Sequence, residues 1–155
     1  MLAAFTGAPG FGWGKPVPVD PRRLRWGRMG MAIVSIAGPA SNVVLAILAA
    51  IVWRLGAEGA FALPDLGRQF LAGLVSLNVG LAVFNVLPVA PLDGFGVASA
   101  FLPRTVATWL ARYGPVLLLI LIGAPFIIGR DILGLALNPM RQALLAFVLQ
   151  AAGAA

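Results

Sequence analysis

The sequence has no cysteine and no histidine among its 155 residues. The absence of cysteine excludes thiolate metal sites and leaves the redox compartment undetermined. The absence of histidine excludes any site that binds metal through imidazole, and Glu58 is the only glutamate. The side chains most often used for metal binding and acid–base chemistry are therefore scarce in this chain.

Charged residues are also scarce, at 10% of the chain, against roughly 25% in a soluble domain. Hydrophobic residues make up 61%, and the mean hydropathy is +0.98. This composition indicates a membrane protein and excludes a soluble enzyme or a nucleic-acid binder. The net charge of +6 does not contradict this, because five of the eleven basic residues stand just before the first long apolar run: Lys15, Arg22, Arg23, Arg25 and Arg28. The positive-inside rule expects basic residues there.

Long uncharged runs predict an all-α membrane helix bundle in a single domain covering 1–155. The run 29–53 can cross a bilayer, since about 20 helical residues span the hydrocarbon core. Shorter runs at 70–87 and 114–129 predict two further transmembrane helices. The segment 131–150 predicts either an interfacial helix or a fourth span, and glycine and proline make 1–28 irregular or extended. These runs predict a multi-pass protein of the cell membrane, in contact with the lipid bilayer. The basic residues predict that the N-terminal side of the first span is cytoplasmic.

The segment from Asn85 to Gly94 contains Asp93, which is the only acid between Asp65 and Asp131. Pro88 and Pro91 should end the preceding helix near Leu87. An acid beside a membrane-buried segment costs roughly 2.5 to 3.5 kcal/mol, so it predicts a functional site. The alternative is a helix that ends at the membrane surface with a solvated aspartate.

A second motif, Gly38-Pro39-Ala40-Ser41-Asn42, lies inside the first span. Its small residues would let a neighbouring helix approach closely, and Asn42 lies one turn beyond Gly38, where it could form a hydrogen bond across the contact. Plain helix packing is the alternative. Both motifs should lie in the cytoplasmic half of the bundle, where they could meet.

Together with Phe11 to Val19, the two motifs resemble the site-2 protease family of intramembrane zinc metalloproteases. The resemblance implies proteolysis of transmembrane peptide substrates, with Asp93 as the aspartate ligand of zinc. It also implies that Asn42, Asn85 and Pro88 shape the substrate cleft and that the extended segment 15–19 offers an edge for strand addition. The remaining motif positions are Gly38, Pro39, Leu92 and Gly94.

The chain departs from that family because it has no His-Glu-x-x-His helix, which would supply two zinc ligands and the general base. No residue is therefore assigned as catalytic, and we expect the chain not to hydrolyse peptides by itself. One interpretation is the C-terminal part of such an enzyme, with its start assigned too late or its gene truncated and the missing helices supplied upstream or by a partner chain. The others are a non-catalytic scaffold that binds transmembrane segments, and a small transporter or channel subunit that uses Asp93, Asn78 and Asn85 as an ion path.

Overall fold

The computed structural model describes residues 24–129 and 131–154, and the regular structure within these ranges is entirely α-helical. The prediction of an all-α fold is thereby confirmed. The predicted extended segment at 15–19, and most of the irregular segment 1–28, lie outside the described residues. The helices are α1 (Gly27–Ala57), α2 (Asp65–Asn85), α3 (Asp93–Phe101), α4 (Arg104–Ile128) and α5 (Ile132–Ala151).

Three of these helices, α1, α2 and α4, are long and apolar enough to cross a membrane. Each begins before the apolar run that predicted it, and α1 also continues past the end of its run. The helices α2 and α4 begin directly after Pro64 and Pro103, because proline has no N–H to lose and its φ suits the start of a helix. As a result, the segment 104–112 belongs to the same helix as the predicted span 114–129. The ends of an apolar run indicate the limits of a membrane crossing and not those of the helix.

The helices α1, α2 and α5 share the buried core. The core side chains are small, which lets the three backbones approach closely. Val79 of α2 and Val148 of α5 are completely buried in it. At one end of this core, Arg54 Nη1 of α1 donates a hydrogen bond to the Ala152 carbonyl oxygen at 3.0 Å. The C-terminal ends of α1 and α5 therefore lie together, and α5 packs against α1 and α2 as a fourth helix of the bundle.

Candidate functional site

The Asp93 carboxylate packs directly against Gly38. Asp93 is the first residue of α3, and Gly38 lies about a third of the way along α1. A Cβ atom on Gly38 would overlap Asp93 Oδ2 and would lie 3.1 Å from Asp93 Cγ. Glycine is therefore required at position 38 if the carboxylate is to keep this place. The two sequence motifs meet at this contact.

The backbone before α3 determines where Asp93 begins its helix. The Val89 N–H donates to the Leu87 carbonyl oxygen at 2.8 Å, and the Leu92 N–H donates to the Val89 carbonyl oxygen at 2.9 Å. This compact turn folds back over the start of α3, so a Cβ on Gly94 would overlap the Val86 carbonyl group. Because backbone atoms cannot rotate away as a side chain can, Gly94 holds the turn and the first turn of α3 together.

The helix α3 lies antiparallel to α1. One turn beyond Asp93, a Cβ on Gly96 would overlap the hydroxyl of Ser35, one turn before Gly38. At the far end of α3, Arg28 donates hydrogen bonds to the Ser99 carbonyl oxygen and, at 2.6 Å, to that of Leu102. A cation at a helix C-terminus satisfies carbonyl groups that have no partner within the helix and complements the helix dipole. The register of α3 on α1, and with it the position of Asp93, is thus set at both ends.

A groove of about 680 Å³ opens beside Asp93. It is lined by α1, α2, α3 and α5, and almost all of its lining side chains are apolar. Within the part of the chain that the structure describes, Asp93 is the one ionisable residue that lines it, and Ser35 is the other polar side chain. Its apolar walls include Pro39, Val43, Val83, Val97, Leu144 and Phe147.

Asp93 lies outside the three helices that could cross a membrane. Burial raises the pKa of its carboxyl above the ordinary value for aspartate. The physical cause is desolvation, which disfavours the charged form. A cation or a hydrogen-bond donor in the groove would offset that penalty.

The described residues do not form a catalytic zinc site by themselves. Such a site needs three protein ligands, and within 24–129 and 131–154 no three His, Cys, Asp or Glu side chains cluster. Two of the other acids are used elsewhere. Glu58 pairs with Arg54 at 2.7 Å, and Asp131 accepts a hydrogen bond from the Gly134 N–H at 2.7 Å. Asp93 could therefore serve as one ligand of a zinc ion, but the described residues do not supply the other ligands.

The residues predicted to shape a cleft are distributed around the site. Pro39 and Gly94 line the groove with Asp93. Asn42, Asn85 and Pro88 are not among its lining residues. Asn42 and Asn85 are half-buried, one turn beyond Gly38 and at the end of α2, and Pro88 is exposed in the turn. Leu92 directly precedes α3 as its N-cap. The substrate-binding role of these residues remains a prediction.

Of the three residues considered for an ion path, Asp93, Asn78 and Asn85, only Asp93 lines the groove. Asn78 is only 5% exposed, and its Nδ2 donates to the Leu74 carbonyl oxygen of its own helix at 2.8 Å. It contributes no lining to the groove that contains Asp93. Its amide satisfies the backbone of α2 and does not extend a polar path from the carboxylate.

Two features of the site were not predicted from the sequence. The contact of Ser35 with Gly96 had a weak signal, since each is a small residue about one turn from a motif position. The wall formed by α5 around Leu144 and Phe147 had none, because these residues follow Asp93 by about 50 positions and carry no motif.

Comparison with known proteins gives two relatives among curated sequences. The chain is 35% identical over 143 residues to "Putative zinc metalloprotease YwhC" of Bacillus subtilis, a match that covers 88% of the chain and 64% of the relative. It is 41% identical over 75 residues to "Putative zinc metalloprotease Rip2" of Mycolicibacterium smegmatis, covering 48% of the chain and 28% of the relative. The chain thus spans less than two thirds of the length of each.

No family model matches the chain. No solved structure matches it. The chain is a homologue of proteins named as putative zinc metalloproteases, and the predicted resemblance to zinc metalloproteases is thereby confirmed.

Proposed function

We propose that this chain is the aspartate-bearing part of an intramembrane zinc metalloprotease of the site-2 protease type, embedded in the cell membrane as a multi-pass protein. The observation that carries the proposal is the Asp93 carboxylate, seated against Gly38 beside an apolar groove of about 680 Å³. The names of the two relatives support zinc-dependent proteolysis as the activity of the whole protein.

The groove favours membrane-derived peptides as substrates. Its apolar walls would receive the side chains of a transmembrane segment, and burial of apolar surface stabilises such a complex. Among the described residues, the only ionisable group that lines it is Asp93, so a substrate would meet the site chemistry there. Asn42, Asn85 and Pro88 would act at the margins of the groove, where they could hold the backbone of an unwound segment.

The chain by itself should not hydrolyse a peptide. Asp93 would supply one of three ligands, and zinc in a complete site would activate water for attack on a peptide carbonyl. The remaining ligands and the general base must come from residues outside this sequence, because it contains no histidine.

The first test is to read the in-frame DNA upstream of Met1 for a His-Glu-x-x-His helix and to express the longer product. The longer product should bind zinc and cleave a fluorogenic transmembrane peptide, whereas the 155-residue chain should do neither. Asp93→Asn in the longer product should abolish both properties. Asp65→Asn, at the exposed start of α2, is the matched control and should leave them unchanged. Cleavage at the original rate by the Asp93→Asn protein would overturn the proposal.

A non-catalytic scaffold is the second candidate, favoured by the lack of histidine in a chain that keeps the groove. It predicts binding of transmembrane peptides without cleavage. If the upstream DNA encodes no His-Glu-x-x-His helix and the purified chain binds peptide without zinc, the scaffold replaces the protease.

A further inference from the structure

A second polar feature, formed by Arg141 and Ser76, shares no lining residue with the groove beside Asp93. Arg141 is about halfway along the 20 residues of α5. Its Nη2 donates a hydrogen bond of 2.7 Å to the hydroxyl of Ser76, which is about halfway along the 21 residues of α2. Because α2 is long and apolar enough to cross a membrane, this guanidinium is held at mid-depth of the bundle.

A guanidinium at that depth is costly to leave in contact with lipid. From Arg141 to either end of α5 is about 15 Å at 1.5 Å per residue, which is longer than an arginine side chain. The hydrogen bond to Ser76 also holds the Arg141 guanidinium beside the middle of α2. Arg141 therefore cannot reach a lipid headgroup from this position, and yet the residue is exposed.

The surface beside it is shaped for another helix. A groove of about 510 Å³ runs along α2 here, and we call its lining the Arg141 face: Gly73, Ser76, Leu77, Gly80, Leu81 and Arg141. A Cβ on Gly73 or on Gly80 would meet no atom within 4 Å. These glycines are not required by the packing of this chain, and they leave room for a second backbone to approach closely.

We propose that the Arg141 face binds a membrane-spanning helix of a partner protein that carries an aspartate or glutamate at mid-depth. A guanidinium has five N–H donors and pairs with a carboxylate through two parallel hydrogen bonds. The Ser76 hydroxyl accepts a hydrogen bond from one of these donors. The others can pair with a carboxylate on the partner helix. A carboxylate on the partner would remove the cost of the exposed charge, and the two glycines would admit its backbone.

A second copy of this chain cannot supply that carboxylate from its described helices. Its acids there lie at helix ends: Glu58 after α1, Asp65 and Asp93 at the first residues of α2 and α3, and Asp131 before α5. None lies at mid-depth of a described helix. The described helices of a second copy are therefore not the occupant, and the proposal commits to a helix of a different protein. It does not depend on the proteolytic function proposed above.

The test uses the full chain, labelled with a fluorescent donor and reconstituted in phosphatidylcholine vesicles. The probe is a leucine- and alanine-rich helix of about 21 residues with one central glutamate and an acceptor label. Energy transfer should report association. The same helix with a central glutamine, or with its glutamate moved to one end, should associate about tenfold more weakly.

Variants of the chain separate the charge from the shape of the face. Arg141→Gln should weaken association with the glutamate probe about tenfold, whereas Arg104→Gln, at the start of α4, should not change it. Gly80→Leu keeps Arg141 and Ser76 but fills the groove, and it should also weaken association. Because a Cβ at Gly80 meets open space, this variant should fold even if Arg141→Gln does not.

Two outcomes would overturn the proposal. Equal association of the glutamate and glutamine probes would show that the charge plays no part. Displacement of the probe by anionic phosphatidylglycerol, added to the vesicles in stages, would identify a lipid headgroup as the occupant.

Discussion

The carboxylate of Asp93 occupies the space that a side chain at position 38 would fill. This contact joins the first half of α1 to the start of α3, and it explains why a glycine stands at position 38. A residue without a side chain on α1 admits the carboxylate, which then faces an apolar groove.

Substitution of Gly38 should separate this contact from the general effect of replacing a helical glycine. Gly38→Ala should lower the free energy of unfolding by about 1–3 kcal/mol, because the new methyl group collides with the carboxylate. Gly73→Ala, in α2 where a Cβ meets open space, should raise it by up to about 1 kcal/mol, since alanine favours the helix. Unfolding in mixed micelles titrated with dodecyl sulfate measures both. Equal effects would mean that the Asp93 contact contributes nothing.

Substitution of Gly94 should be more damaging than that of Gly38. The Cβ of Gly94→Ala would overlap the Val86 carbonyl group, and a backbone group can move only if the turn opens. We expect a loss of at least about 3 kcal/mol in the free energy of unfolding. We also expect faster hydrogen exchange at the amides of Val89 and Leu92, which close the turn. Normal exchange at those amides would argue against this explanation.

The contact between Ser35 and Gly96 can be tested by a compensating pair. Gly96→Ala alone should destabilise the bundle, because its methyl group would overlap the Ser35 side chain. Ser35→Gly removes that side chain, so the double variant should recover about 1 kcal/mol relative to the sum of the two single effects. Additive effects in the same micelle titration would show that α3 does not pack on α1 through these residues.

Arg54 should stabilise the protein through the end of α5 more than through its ion pair. The Arg54 and Glu58 side chains are 38% and 53% exposed, so the pair is screened by solvent and Glu58→Gln should cost no more than about 0.5 kcal/mol. Arg54→Gln also removes the hydrogen bond to the Ala152 carbonyl oxygen and should cost about 1 kcal/mol more. Hydrogen exchange in the last turn of α5 should rise only in Arg54→Gln.

The helices were predictable because their signals are local. Apolar runs and the prolines at 64, 88, 91 and 103 predict where the chain is helical and where it turns, and the all-α fold and the three long apolar helices follow from them. The lengths of the helices were less predictable, since hydropathy marks the part that suits lipid and an α-helix can continue past it. The part of α1 after residue 53, and the parts of α2 and α4 before residues 70 and 114, are helical although they lie outside the apolar runs.

The sequence by itself determined the helical class and the relation to zinc metalloproteases, and it predicted Asp93 as a site residue, because composition and short motifs are readable in one dimension. Only the tertiary structure decided that Asp93 rests on Gly38, that α5 closes the groove beside it, and that Arg141 is held at mid-depth by Ser76. The physical reason is that such contacts depend on the register of one helix against another. That register is set by many weak packing interactions between residues distant in the chain, and no local pattern contains it.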